Sequence, residues 1–518
     1  MVSGKSLIAG NWEEGQGSSF TSFSPLDGSK LNDYRGVNSS QVDRAVNAAS
    51  EAYLVFKALD FDKRAAFIED VASEVEALGD ELLEVCNQET GLGIPRLTGE
   101  RARTCGQLRA FASLIREGSW QQASIDTAIP DRKPLPRPDI RSILAPIGPV
   151  AVFSASNFPL AFSTLGGDTA SALAAGNPVI VKGHPSHPAT SELCARAIEK
   201  AIEKNNFPKA VFSLLQGADP LVSNELVKHP KIEAVGFTGS THVGRTLFDQ
   251  ASSRPKPIPV FAEMGSANPL FILANAVKNR TSEIANGLAG SITLGTGQFC
   301  TKPGLVFMLT SADTEAFKGK LVAALEQIPD AVLLNANIKT GLQQKLTAYS
   351  NKSELLKLTG NTVGGGYLFT VSATDFIKNP ELEEEVFGPA ALIIECKDMD
   401  EMTKAASQLG GHLTGTIHTD NDEEAEKLKS ILEEKVGRII YNGFPTGVEV
   451  CPSMHHGGPY PSSTFAAATS VGTAAIKRFC KVVSYQNAPQ GHLPEGLKNE
   501  NPRGIMRLVN GKYSTSKI

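Results

Sequence analysis

Apolar residues recur three and four positions apart through QVDRAVNAASEAYLVFKAL (41–59) and RAAFIEDVASEVEALGDELLEVCNQ (64–88). That period belongs to amphipathic helices, so the first 120 residues are expected to be helical. A proline-rich break, IPDRKPLPRPD (129–139), ends the block. Beyond it the pattern switches. The short apolar runs GPVAVFSAS, NPVIVKG, KAVFSLLQG, KIEAVGFTG and KPIPVFAEMG alternate with helix-period segments such as STLGGDTASALAAG, HPATSELCARAIEKAIEK, DPLVSNELVKHP and THVGRTLFDQAS. Five strands alternating with helices predict a parallel, doubly wound α/β sheet, and the scarcity of charge in the runs fits strands covered on both faces. Such sheets bind ligands beyond the carboxyl ends of their strands, which directs attention to SNFP, VKGHPSHP and FTGSTHVG. A second α/β pattern runs from about 267 to 450, with helices expected in SEIANGLAGSITLG and EAFKGKLVAALEQI and strands in AALIIEC and GRIIYNG. FCKVVSY opens a polar tail.

Composition narrows this picture. At 518 residues, 41% hydrophobic and 20% charged, the chain reads as a globular protein of roughly three domains. Fifty basic and 55 acidic residues leave a net charge of −5 with no basic stripe, which argues against nucleic acid as a partner. The lack of a long apolar run argues against a membrane span, and MVSGKSLIAGNWEEG has no signal-peptide pattern, so a cytoplasmic location is expected. Seven cysteines without a CxxC pair suggest free thiols, and no metal site is expected. The one tempting pair, His455 and His456, is adjacent, and neighbours on a strand point opposite ways.

FTGSTHVGRT follows a strand, opens a helix, and nearly matches the phosphate loop GxxxxGK[ST], with Arg245 in the lysine position. A strict GxGxxG is absent. A nucleotide triphosphatase is disfavoured because no acidic strand end downstream is placed to hold Mg²⁺. A turn without ligand remains open, and the pyrophosphate of a dinucleotide near Gly239 and Ser240 is the better reading.

Cys300 sits in GTGQFCTKPG, where Gly295, Gly297 and the Pro303-Gly304 turn bend the backbone sharply. A packed cysteine and a nucleophile with an activated thiol are both compatible with this stretch alone. Glu263 closes the apolar strand of VFAEMGSANP, as a solvated or capping acid or as a general base toward water. Asn157, in FSASNFPLAFS, could cap a helix or stabilise an oxyanion. Glu385 and Phe387 lie on the stiff turn of EEEVFGPA.

Taken together, AS-NFP, VIVKGHP, FTGS-xxx-G, FAEMG, GQFC and EEVFGP resemble, in order and spacing, the aldehyde dehydrogenase superfamily over nearly the whole chain. The resemblance implies the aldehyde dehydrogenase fold: a Rossmann-like parallel-sheet cofactor domain (1–125 and 147–262), an α/β catalytic domain (263–477) and a small β oligomerisation domain from 126–146 and 478–518, in a homodimer or dimer of dimers. It implies Cys300 as nucleophile, Asn157 and the Cys300 N–H as oxyanion donors, and Glu263 activating water to hydrolyse a thioester, so that the product is a free carboxylate. By similarity Glu385, beside Phe387, holds the nicotinamide ribose and Lys182 the adenine ribose, while Gly239, Ser240 and Gly244 form the pyrophosphate loop.

Two departures matter. Ser156 replaces the tryptophan that many members carry before the asparagine. Pro185 stands where NAD-preferring relatives carry a glutamate, so a 2′-phosphate meets no like charge and could pair with Lys182, His184 or Ser186. NADP is the expected cofactor, with NAD as the alternative. GERARTCGQLRAFA, ASNFPLAFSTLGGDTASALAAG and PSMHHGGPYPSST resemble the branch acting on α-ketoglutaric semialdehyde, which also contains NADP-dependent fatty aldehyde dehydrogenases. Arg103, Gln107 and Arg109 fall on the helix lining the substrate entrance in relatives and suit an anionic substrate, unless they pair with Glu100 or other helices. Phe158, Phe162, Leu165, Leu294 and Val450 would make the wall apolar, as a fatty chain prefers. A retired dehydrogenase serving as a structural or binding protein is the alternative of a different class; the joint presence of Cys300, Glu263 and Asn157 speaks against it.

Overall fold

The computed structural model describes residues 2–329, 331–360 and 365–518. The five apolar runs form parallel strands in the spatial order Val260–Glu263, Ala234–Thr238, Val150–Phe153, Val179–Lys182, Phe212–Leu215. Their Val, Ile, Leu and Phe side chains pack into helices on both faces, through one cluster containing Val152, Val181 and Leu214 and another containing Ala151, Ile180 and Val235. The chain order reverses beside Val150–Phe153, which lies between the strand that follows it and the fourth strand. A crevice forms at such a reversal because the loops leaving the two neighbouring strands turn to opposite sides of the sheet. Here those loops are 154–157 and 239–240.

The amino-terminal block is less helical than its periodicity predicts. Ser6–Ile8 and Asn11–Glu13 form a hairpin that adds two antiparallel strands to the first sheet, beside Phe212–Leu215, and Ser19–Phe23 pairs with Lys30–Arg35. The four helices Ser39–Phe56, Phe61–Ala77, Gly79–Thr90 and Ile94–Glu117 begin only afterwards. Three-residue strands offer too few alternations to register as a period of two, so a neighbouring partner, rather than local pattern, makes them strands.

A second sheet runs Leu356–Thr359, Tyr367–Ser372, Ala390–Cys396, Leu305–Leu309, Leu270–Ile272, His412–His418, Val436–Tyr441, all parallel except for the first pair. A third joins Cys480–Gln486, Ile140–Pro146, Ser124–Asp126, Arg507–Val509 and Lys512–Ser514, so the polar tail and the segment around the proline-rich break meet in space. An isolated bridge between Glu263 and Ser463 carries the edge of the first sheet onto the 456–470 loop. That bridge brings the candidate acid and a distant loop together.

Candidate active site

The approach to Cys300 is built from three consecutive left-handed residues, Gly295 (φ 56°), Thr296 (φ 57°) and Gly297 (φ 65°). Glycine is required at 297 twice over: the backbone is left-handed, and a Cβ would lie 2.3 Å from the carbonyl carbon of Gly388. The loop is thereby pressed onto the Phe-Gly-Pro turn of residues 387–389. Asn268 donates from Nδ2 to the carbonyls of Cys300 (2.8 Å) and Lys302 (3.0 Å), and the Lys302 ammonium donates to Ala390 O at 2.6 Å. Cys300 is thus held by its backbone.

The thiol meets two polar side chains. Cys300 Sγ lies 3.4 Å from His456 Nε2, and that nitrogen lies 2.9 Å from Glu263 Oε1. The Ser470 hydroxyl donates to Glu263 Oε2. His456 and Glu263 are both nearly sealed from solvent, at 1% and 4% exposure. Burial pushes the Cys300 thiol well up, and the Glu263 carboxylate beside it adds to the shift. For Glu263 burial pulls upward too, but the attraction and hydrogen bonding of His456, with the Ser470 and Cys300 donors, hold its carboxyl below the usual value. The resting pair is therefore a neutral thiol and an ionised carboxylate, both within reach of the same nitrogen of the His456 ring.

Asn157 sits past the end of Val150–Phe153, its amide donating to Gln298 O at 3.0 Å, two residues before the cysteine. Arg96 Nη2 donates 2.7 Å to the Asn157 carbonyl, and its guanidinium lies over the rings of Phe158 and Phe299. Four residues along the same helix, the buried Glu100 accepts the N–H groups of Leu160 and Ala161. Helix spacing thus places two charged groups on one face to hold the Asn157 loop.

Cys300, Glu263 and Asn157 line one end of a cavity of about 920 Å³, large enough for a dinucleotide-sized ligand. Lys182, His184, Pro185, Ser186, Gly239, Ser240, Glu385 and Phe387 line the rest. Ser240 caps the helix Thr241–Ser252 by accepting from Val243 N–H, so the first turn presents backbone donors to the cavity beside Gly239. Burial pushes Lys182 down to about 8 and lowers His184, whose Nδ1 accepts from the Ser186 N–H. Burial likewise pushes up the carboxyl of Glu385, against the pull of Lys302 and the Ser266 N–H. Gly244 is absent from the lining; a Cβ there would strike Met264, so the glycine allows the helix to pack close behind the loop.

The residues expected at the substrate entrance divide. Arg103 Nη1 donates to Val448 O and its guanidinium covers Phe162, while Phe158 packs edge-on against Phe162 and Phe299. Gln107 is buried against Gly167. Arg109 does not join them: six residues on from Arg103 the helix has turned it outward, where Glu76 takes both its amino groups. Leu165 belongs to the buried core between helices, Leu294 is 48% exposed, and Val450 is half-buried on the loop after Val436–Tyr441. His456, Arg96 and Ser470 were not anticipated. In the sequence His456 stands out only as half of an adjacent pair, and its place in a glycine-rich HHGG loop is the one signal it offers.

The chain matches the model of the aldehyde dehydrogenase family over residues 12–484. It is 45% identical over 528 aligned residues to alpha-ketoglutaric semialdehyde dehydrogenase 2 of Azospirillum brasilense, covering 99% of each chain. It is 44% identical over 480 residues to alpha-ketoglutaric semialdehyde dehydrogenase of Acinetobacter baylyi, covering 91% of each. The solved 1-pyrroline-5-carboxylate dehydrogenase from Thermus with bound NAD superposes with a TM-score of 0.79 at 21% identity, over 93% of this chain and 92% of that one.

Proposed function

Because the chain belongs to the aldehyde dehydrogenase family, whose members oxidise aldehydes to acids, we propose that it converts α-ketoglutaric semialdehyde to α-ketoglutarate by a non-acylating, cysteine-centred route. The observation that carries the proposal is the convergence of Cys300, His456 and Glu263 at the end of the large cavity.

The chemistry follows from the resting charges. A thiol whose pKa is raised is a poor nucleophile until a base takes its proton. His456 Nε2 is within reach at 3.4 Å, and ionised Glu263 stabilises the imidazolium that results. Cys300 Sγ then bonds to the aldehyde carbon, and the oxyanion of this thiohemiacetal receives the Asn157 amide and the Cys300 N–H, each worth about 2.7–4 kcal/mol in the barrier. A bound nicotinamide supplies the hydride acceptor that turns the thiohemiacetal into a thioester. Once the proton taken from Cys300 has passed to solvent, the Glu263–His456 pair deprotonates the water that adds to the thioester, and that proton returns to the departing Cys300 thiolate as the acid is released. In this proposal Glu263 acts on water together with the imidazole, a partner that the sequence reading does not name.

The cavity fits a dinucleotide: Gly239, Ser240 and the following helix turn offer donors for a pyrophosphate, and Glu385 and Lys182 offer partners for ribose hydroxyls. NADP is the proposed choice, supported by Pro185 in place of an acid and by Lys182, His184 and Ser186 beside it. Support for an anionic substrate comes from Arg96, whose buried Nη1 has no hydrogen-bond partner among the described residues, and from Arg103. The phenylalanine wall supports the second reading, a fatty aldehyde. Initial rates of NADPH formation across aldehydes of varied length and charge decide: the semialdehyde should exceed decanal in kcat/KM, and a tenfold advantage for decanal would overturn the substrate assignment. A cytoplasmic homodimer or dimer of dimers completes the proposal; no helix among the described residues is long and apolar enough to cross a membrane.

A further inference from the structure

Sulfur, imidazole nitrogen and carboxylate oxygen seldom meet at one buried point. Cys300 Sγ, His456 Nε2 and one Glu263 oxygen all lie within 4.8 Å of one another. Glu263 Oε1 lies 2.9 Å from the imidazole nitrogen, while Glu263 Oε2 takes the Ser470 hydroxyl. A cation at the centre of the three groups would take the sulfur, the nitrogen and the Glu263 oxygen as ligands at once.

We propose that these three side chains form a binding site for a thiophilic divalent cation of the zinc class, and that its occupation switches the enzyme off. The donor set is the one such ions select: a soft thiolate, a neutral imidazole and a carboxylate. With Zn–S near 2.3 Å and Zn–N or Zn–O near 2.0–2.1 Å, tetrahedral coordination needs separations of about 3.6 Å between sulfur and nitrogen and about 3.3 Å between nitrogen and oxygen. The present 3.4 and 2.9 Å are each a few tenths of an ångström short of these, and the sulfur and oxygen lie within 4.8 Å of each other. Ligation balances in charge: the Cys300 thiol loses its proton to solvent, a metal–sulfur bond replaces the S–H bond, and thiolate plus carboxylate neutralise the dication. The fourth position is left to water. No electron moves, and chelation with reprotonation reverses the step.

The switch-off rests on the proposed role of Cys300 as nucleophile, because one sulfur lone pair cannot serve both metal and aldehyde. Metal and aldehyde should therefore compete. Binding itself does not depend on that role, so it can be measured separately. Full-length protein freed of metal with EDTA is titrated with Cd²⁺ and followed by the ultraviolet charge-transfer band of a cadmium thiolate, with Zn²⁺ as competitor. One equivalent should bind and develop the band. Cys300→Ser should abolish it, and His456→Asn should weaken binding by about tenfold or more, as loss of a ligand demands. Cys451→Ser, which removes a second partly exposed thiol on the segment leading to His456, should leave the band intact. Circular dichroism confirms that each variant is folded. Zn²⁺ should raise the apparent KM for aldehyde, with the rate restored by EDTA.

A band that survives Cys300→Ser, an unchanged affinity in His456→Asn, or no band in the parent protein would each overturn the site. Metal-free protein that binds Cd²⁺ as described but oxidises no aldehyde would instead sink the proposed function and leave the site standing.

Discussion

At the scale of single residues, the arrangement gives each group a separable defect. Glu263→Gln removes the negative charge beside the imidazole, so the thioester should form and then persist. Rapid mixing should show a burst of NADPH approaching one per active site, followed by a steady rate lowered about 10²–10⁴-fold, the usual worth of general base catalysis. His456→Asn should slow alkylation of Cys300 by iodoacetamide at neutral pH and move its pH profile upward, because the thiol then ionises unaided from its raised pKa. A profile unchanged from the parent would remove His456 from the activation step. Lys182 yields a pH prediction. Burial sets its pKa at about 8, so it is charged below that value and neutral above. KM for NADP should climb as pH rises past about 8, while KM for NAD, lacking the 2′-phosphate, should change less.

At the scale of elements, the cysteine loop depends on its contact with the 387–389 turn. Gly297→Ala combines a left-handed backbone with a Cβ driven into Gly388, and the displaced thiol should cost about a hundredfold in kcat. Glu100→Ala leaves the buried N–H groups of Leu160 and Ala161 without acceptors, a loss of about 1–3 kcal/mol each if water does not enter. Urea denaturation would read the stability, and a fall in kcat larger than the rise in KM would mark displacement of Asn157. The helices were legible because each is long enough to show its period, as in Thr241–Ser252, and the parallel strands because each is a continuous apolar run between turn signals, as in Val150–Phe153. Cys300, Glu263 and Asn157 were legible because each sits in a short motif at the end of such an element. His456 was not: it comes from a loop 156 residues past the cysteine, carried there by hydrogen bonds between residues 260–264 and 462–464 and by the bridge between Glu263 and Ser463. Arg109 shows the opposite failure, a residue of the right chemistry turned outward by helix geometry.

At the scale of the molecule, the candidate site draws on residues from Arg96 to Ser470. The third sheet, from the middle and end of the sequence, contributes nothing to the cavity. Its edge strand Cys480–Gln486 leaves Val482 68% exposed, as a strand awaiting a partner would. Light scattering should find a dimer or larger assembly, and Val482→Lys should shift it toward monomer; an unaffected assembly would place the interface elsewhere. The central claim concerns the covalent bond between substrate and one sulfur. Peptide mass mapping of Glu263→Gln quenched during turnover with NADP and aldehyde tests it most directly. The acyl mass should appear on the peptide carrying Cys300; turnover with that peptide unmodified, or the mass on another cysteine, would contradict the account.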